Sequence, residues 1–234
     1  MKFIVGTAAN SHFFTHLQQM LYSLHHSIPD ESIIIIQDNG LKEQQKQCLL
    51  NNFGFFRYVF MKKDLTPWER DSYIFKLDVL DLALTQLRQE CDVYLWMDSR
   101  NVLKHNEEQI KKDIAICPVW GTTPFNQAEH LWTDKRTLDA MEIDEEDRNT
   151  IQIQASGYMI DFQNPAGIEF AEELIKYSRD ESIITPEGTV KGTQPPTHRQ
   201  DQSVFSCLMK KKGFTKSLEE DNKWVVNHNT LHFI

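Results

Sequence analysis

The chain has 234 residues, a net charge of −9 and a pI near 5.5, with 40% hydrophobic and 11% aromatic residues. That acidity argues against a nucleic-acid binder, which needs a basic face to displace counterions from phosphate, and the apolar content argues against wholesale disorder. The longest strongly apolar run, Ser32 to Ile36, falls far short of the ~20 residues of a membrane-spanning helix, so no transmembrane segment and a cytoplasmic location are expected.

Residues 2–8 and 32–37 are rich in Ile, Val and Phe and bounded by turn formers, and both read as strands. Between them Phe13, Leu17, Met20, Leu21 and Leu24 recur at helical spacing. That order favours a parallel pair joined by a right-handed crossover. A short helix over 42–51, a third strand over 56–61 and a long amphipathic helix carrying Tyr73, Leu77, Leu80, Leu84 and Leu87 follow. The helix feeds the apolar run Val93-Tyr94-Leu95-Trp96-Met97, which ends abruptly in Asp98. In the second half, Asn106 and Asn164-Pro165 look like helix starts, and 151–162 reads as a strand containing Gly157. The acidic stretch 144–148 suggests a solvated turn, and the lysines 210–212 suggest a helix C-terminus favoured by its dipole. Cys48, Cys91, Cys117 and Cys207 are too far apart in sequence for a C-x-x-C pair and are expected to be reduced. One α/β domain is expected, with a nucleotide-binding half over 1–103 and an acceptor half over 104–234. Its central sheet is expected to be mostly parallel and flanked by helices, in a Rossmann-like arrangement.

Asp98 is the leading candidate for chemistry. A buried strand that ends in a carboxylate delivers it to the crevice where ligands bind in such sheets. There it can hold a divalent cation, Mn²⁺ or Mg²⁺, that in turn holds a diphosphate. Alternatively, Arg100 neutralises the diphosphate directly through its forked donors. The segment His198-Arg199-Gln200-Asp201-Gln202-Ser203 packs base, cation, acid and amide together at a helix entrance. Asp201 or Ser203 is explained equally well as a helix cap. The preceding stretch 185–197 carries three prolines and two glycines, which suits a lid that closes over substrate. Ser156 and Gly157 suit a close backbone approach to a ligand. Lys76 either snorkels to solvent or reaches the strand ends to bind phosphate or orient Asp98. His228 and His232 are weak candidates for metal ligation.

The pieces Thr7-Ala8-Ala9-Asn10, Asp38-Asn39-Gly40, Tyr73-Ile74-Phe75-Lys76, Trp96-Met97-Asp98-Ser99 and Arg199-Gln200-Asp201-Gln202-Ser203, in that order, resemble a family. It is that of uncharacterised glycosyltransferases with the GT-A fold, distantly similar to glycogenin. The resemblance implies a nucleotide-sugar donor held by Thr7, Ala8 and Asn10, with Asp38 near base or ribose. It implies Lys76, Asp98, Ser99 and Arg100 around the diphosphate, with the metal on Asp98. Ser156, Gly157, His198 and Arg199 would then face the acceptor, a glycan or other hydroxyl compound. Asp201 and Gln202 would stand at the reacting carbon, Asp201 as a base in an inverting enzyme or as a stabiliser in a retaining one. The chain departs from the family in carrying Arg100 where Asp-x-Asp has its second acid, and Leu77 where a proline commonly stands. A nucleotidyltransferase is the less favoured enzyme, because Gly6-Thr7-Ala8-Ala9-Asn10 has one glycine and no basic residue. A sugar- or nucleotide-binding module without catalysis is the alternative from outside the enzymes.

Overall fold

The computed structural model describes residues 1–122, 127–189, 195–216 and 224–227, with 225–227 as backbone. In chain order the first half runs β1 (Phe3–Ala9), α1 (Phe14–His25), β2 (Ile33–Asp38), α2 (Glu43–Asn52), β3 (Arg57–Met61), α3 (Pro67–Asp71), α4 (Phe75–Leu82), β4 (Val93–Met97) and β5 (Asn101–Leu103). The second half runs α5 (Glu107–Ile116), β6 (Val119–Thr122), α6 (Glu129–Trp132), α7 (Lys135–Ala140), α8 (Glu145–Asn149), β7 (Gln154–Asp161), α9 (Pro165–Ser178), α10 (Glu181–Ile184), α11 (Gln200–Lys211) and β8 (Val225–Asn227).

Six strands form one sheet in the order β3-β2-β1-β4-β7-β6, and β5 pairs with β8 beside it. The strands β1 to β4 are parallel, whereas β7 runs against both β4 and β6. Ala9, Asp38 and Met97 therefore end their strands on one edge. The reversal of β7 brings its beginning to that same edge, with Gly157 opposite Met97 and Gln154 opposite Thr122. Chain direction alone gathers an end of each of the six strands there.

Alternation along the strands fills two core layers. Ile33, Ile35, Tyr94 and Trp96 point to the side covered by α4, α9 and α11. Ile34, Ile36, Val93, Leu95 and Met97 point to the side of α1 and α5. The expected helix starts hold: Asn106 accepts from the Gln109 amide at 3.0 Å, and Asn164 caps α9 with Pro165 in its first turn.

Several boundaries differ from the sequence reading, each for a local reason. The strand expected over 151–162 begins only at Gln154, because Ile151 makes just an isolated bridge to Ala128. The acidic stretch forms a helical turn, α8, since the Asp144 side chain caps the Asp147 amide. Lys210 is not a solvated helix end. Its ammonium lies 2.8 Å from Glu129, with both side chains fully buried. Ser206, Thr133 and Gln152 complete the Glu129 hydrogen bonds. Among the described residues, no helix is long and apolar enough to cross a membrane.

Gly6 sits at the crossing of this sheet with α4. A Cβ there would collide with the Tyr94 hydroxyl and would lie 2.8 Å from Val79 and 3.0 Å from Trp96. Gly6→Ala is expected to cost about 1–3 kcal/mol by overpacking, read from the urea midpoint.

Candidate active site

Two strand residues of the same parity start the site. Trp96 and Asp98 face the α4 side of the sheet, and the Trp96 indole donates to Asp98 Oδ1 at 2.9 Å. The backbone then turns at once, the Asn101 amide donating to the Asp98 carbonyl at 2.8 Å. The Ser156 carbonyl anchors this turn by accepting from the Asp98 amide at 2.8 Å and the Asn101 side chain at 2.6 Å. Asp98 is thereby fixed at the rim, while Arg100 projects from the turn with its guanidinium 5.4 Å from the Phe13 ring centroid.

Lys76, in the first turn of α4, reaches beneath the rim. Its ammonium lies 2.9 Å from Asp201 Oδ2 and 3.1 Å from Asp98 Oδ1, and donates to the Ala155 carbonyl at 3.3 Å. The Tyr73 and Trp96 rings lie 5.5 Å away, within reach of cation–π attraction. An ammonium has three hydrogens, and three oxygens surround this one. Lys76 is therefore not the snorkelling lysine that its aromatic neighbours suggest, and its charge is spent on two carboxylates. Of the possibilities open in the sequence, orienting Asp98 is the one its contacts match.

Charge in this triad is set by burial and pairing. Burial opposes the Lys76 charge, but the Asp201 and Asp98 carboxylates outweigh it and hold the ammonium protonated well above the ordinary lysine range. Burial pushes the Asp201 carboxyl up from its ordinary value, further than Lys76 draws it down. A carboxylate raised in this way is a stronger base than a solvated one.

Asp201 is not a helix cap. The N-terminus of α11 has Arg199 at the cap position with no side-chain cap bond. Ser203 takes part of that work, its hydroxyl accepting from the Arg199 amide at 3.0 Å and donating to the Trp132 carbonyl at 3.0 Å. Backbone strain also concentrates here. Tyr73 (φ 59°) and Gln200 (φ 37°) adopt left-handed conformations, one beside Lys76 and one beside Asp201. Such conformations cost a non-glycine residue on the order of 1–3 kcal/mol and gather at functional sites. Gln200 is 5% exposed, and its Nε2 is buried without a hydrogen-bond partner among the described residues.

Other expected site residues behave differently. His198 is buried, with Nδ1 accepting from the Asp134 amide at 3.1 Å and Nε2 facing the Ile184 carbonyl at 2.8 Å. Burial lowers its pKa, so the ring is neutral with both nitrogens occupied. It fixes the segment before α11 and has nothing to offer an acceptor. Arg199 stacks its guanidinium 4.2 Å from the Trp132 centroid and leaves Nε buried without a hydrogen-bond partner among the described residues. The Gln202 amide nitrogen donates to Gln152 Oε1, which leaves its carbonyl for other contacts. Gly157 is buried inside β7, and the half-buried Ser156 hydroxyl lies 3.5 Å from Thr122 Oγ1.

On the other flank, Thr7 and Ala8 belong to β1 rather than to the loop after it. Thr7 is fully buried, too deep to touch a donor. Asn10 is the first residue past the strand, its side chain accepting from the His12 and Phe13 amides. Asp38 pairs with Lys46 at 2.6 Å and accepts from the Gly40 and Leu41 amides at 3.0 and 2.7 Å. Burial would raise its pKa, but Lys46 and these amides more than offset that and hold it below the ordinary range. Ser99 is buried in the turn between β4 and β5. Among the described residues, no three or more His, Cys, Asp or Glu cluster as a metal site would require. Asp98 Oδ1 is already taken by Lys76 and Trp96, and Lys76 stands between the two carboxylates. This donor set does not fit a resident divalent cation. His228, His232 and the middle of the 185–197 loop lie outside the described residues.

No protein-family model and no curated protein sequence matches the chain. The solved apo structure of the bifunctional glycosyltransferase WbbM is similar in fold, with a TM-score of 0.53 and 10% sequence identity. The match covers 88% of this chain and 37% of WbbM, so the chain spans little more than a third of that protein. The likeness and the sheet together show an α/β domain of the GT-A, Rossmann-like type.

Removing the shared cation strands two acids, one of them almost wholly buried. Lys76→Met is therefore expected to destabilise the fold by on the order of 3–5 kcal/mol, measured by urea denaturation at neutral pH. The loss should shrink at acid pH, where Asp201 becomes protonated and needs no partner.

Proposed function

We propose that the chain is a glycosyltransferase, moving a sugar from a nucleotide-diphosphate donor to a hydroxyl acceptor. The observation that carries this reading is the buried ammonium of Lys76, which clamps Asp98 and Asp201 at the edge where the parallel strands end. Such a pair brings together the two tasks of the reaction, holding the donor's departing end and activating the acceptor.

The donor lies on the flank of Asn10, Asp38 and Arg100. Arg100 is exposed and makes no ion pair among the described residues. Its planar fork suits the diphosphate. Asp98 bounds the donor sugar on the side of the sheet edge. The bond between the anomeric carbon and the diphosphate oxygen breaks, and the electron pair leaves with the diphosphate. The acceptor oxygen bonds to the same carbon from the opposite face, and its proton passes to Asp201. In that role the transfer inverts the anomeric centre. Lys76 stays charged throughout and keeps Asp201 oriented. Gln202, tied to Gln152, steadies the first turn of α11.

Asp201→Asn should lower kcat by ~10²–10⁴-fold and leave donor affinity within about threefold, measured by release of nucleoside diphosphate from a panel of nucleotide-sugars. Because burial raises the Asp201 pKa, the acid limb of kcat/KM should lie above the ordinary carboxylate range. Normal turnover in this variant would refute the reading, and donor binding without turnover in the wild type would favour a sugar-binding module. Mn²⁺ alone should leave the melting temperature of the donor-free protein unchanged, and turnover should survive EDTA. A manganese-dependent shift that Asp98→Ala abolishes would instead establish a metal held by Asp98.

A further inference from the structure

Tyr73 is a large aromatic residue that is both strained and exposed. It holds φ at 59°, yet 46% of its surface remains open to solvent. Burial of a ring can repay backbone strain, but a half-exposed ring recovers little. The hydroxyl makes no hydrogen bond among the described residues, so polar pairing does not repay it either. The conformation is nevertheless fixed on both sides. The Tyr73 amide donates to the Arg70 carbonyl at 3.3 Å, and its own carbonyl accepts from the Lys76 amide at 3.0 Å. The result is a ring with its centroid 5.5 Å from the Lys76 ammonium, at the mouth of the Lys76–Asp201 pair.

Arg199 belongs to the same corner. It lies two residues before Asp201 and near enough to Tyr73 to feel its ionised form, its guanidinium is stacked on Trp132, and its buried Nε has no partner among the described residues. An open aromatic ring near a fixed, half-buried guanidinium is an arrangement that recognises a sugar ring. The C–H face of a pyranose packs on the aromatic ring while its hydroxyls meet polar groups at the edge.

Resting on the proposed transfer reaction, we propose that Tyr73 is the platform for the acceptor, and that the acceptor is itself a pyranose sugar. The ring packs against Tyr73, a ring hydroxyl bonds Arg199, and the attacking hydroxyl is directed at Asp201. The backbone strain at Tyr73 is then the cost of holding the platform over the site.

The strain supplies the test, because glycine adopts this backbone freely. With a nucleotide-sugar that the wild type turns over, Tyr73→Gly should keep or raise the melting temperature while raising KM for methyl pyranosides at least tenfold. Affinity for nucleoside diphosphate, which meets the opposite flank of Asn10, Asp38 and Arg100, should stay within twofold. Tyr73→Phe and Tyr73→Trp should keep the wild-type KM, and acyclic hexitols should be poor acceptors for the wild type. An unchanged pyranoside KM in Tyr73→Gly, or a lowered melting temperature with nucleoside diphosphate affinity and transfer falling together, would overturn the assignment of Tyr73 alone. A wild type that turns over no nucleotide-sugar would overturn the transferase reading beneath it.

Discussion

A single buried ammonium governs this site. Lys76 sets its ammonium among oxygens from three different parts of the chain: Asp98 after β4, Ala155 in β7 and Asp201 in α11. A carboxylate as buried as Asp201, with a second one across the same ammonium, would resist ionisation. The cation between them keeps both in place and fixes α11 against the sheet. A second buried pair, Glu129 with Lys210, ties the far end of α11 to α6. The helix that carries Asp201 is thus held by charge at both ends, with Val204, Phe205 and Leu208 packed in the core between them.

The sheet provides the position and the strain provides the precision. Parallel β1, β2 and β4 end at one edge, and the antiparallel course of β7 returns the chain there. The side chains that meet at this edge hang from α4, α11 and the turn that closes β4, all packed on the sheet, which suits groups that must hold their geometry. Tyr73 and Gln200 then depart from the backbone conformations their side chains prefer, immediately beside the two residues that make the ion pair. Packing elsewhere in the fold sustains that departure.

Much of the fold was legible in the sequence because it follows local rules. The Ile-rich β2, the helical spacing of Leu17, Met20, Leu21 and Leu24, and the Asn106 and Asn164 caps each report their own structure. Asp98 was legible as a carboxylate at the end of a buried strand, and its partner Trp96 sits at the alternation the strand imposes. The direction of β7 was not legible, since an apolar strand reads the same in either sense. The reach of Lys76 to Asp98 was legible as one possibility, but its pairing with Asp201 was not, because Asp201 lies far along the chain and no local pattern links them. Lys210 looked like one of three similar lysines, and only tertiary packing singles it out to meet Glu129. His198 looked chemical because histidine is versatile, whereas two backbone groups have already used both its nitrogens. Strain at Tyr73 is a property of φ and leaves no trace in residue type.

The central interaction is open to direct observation by carbon-13 NMR of aspartate carboxyl groups, titrated from acid to neutral pH in wild type, Lys76→Met and Asp201→Asn. One carboxyl signal should titrate above the exposed aspartates, vanish in Asp201→Asn, and move higher still in Lys76→Met, where burial acts without an opposing cation. An Asp201 signal in the ordinary carboxylate range, unmoved by loss of Lys76, would contradict the buried triad.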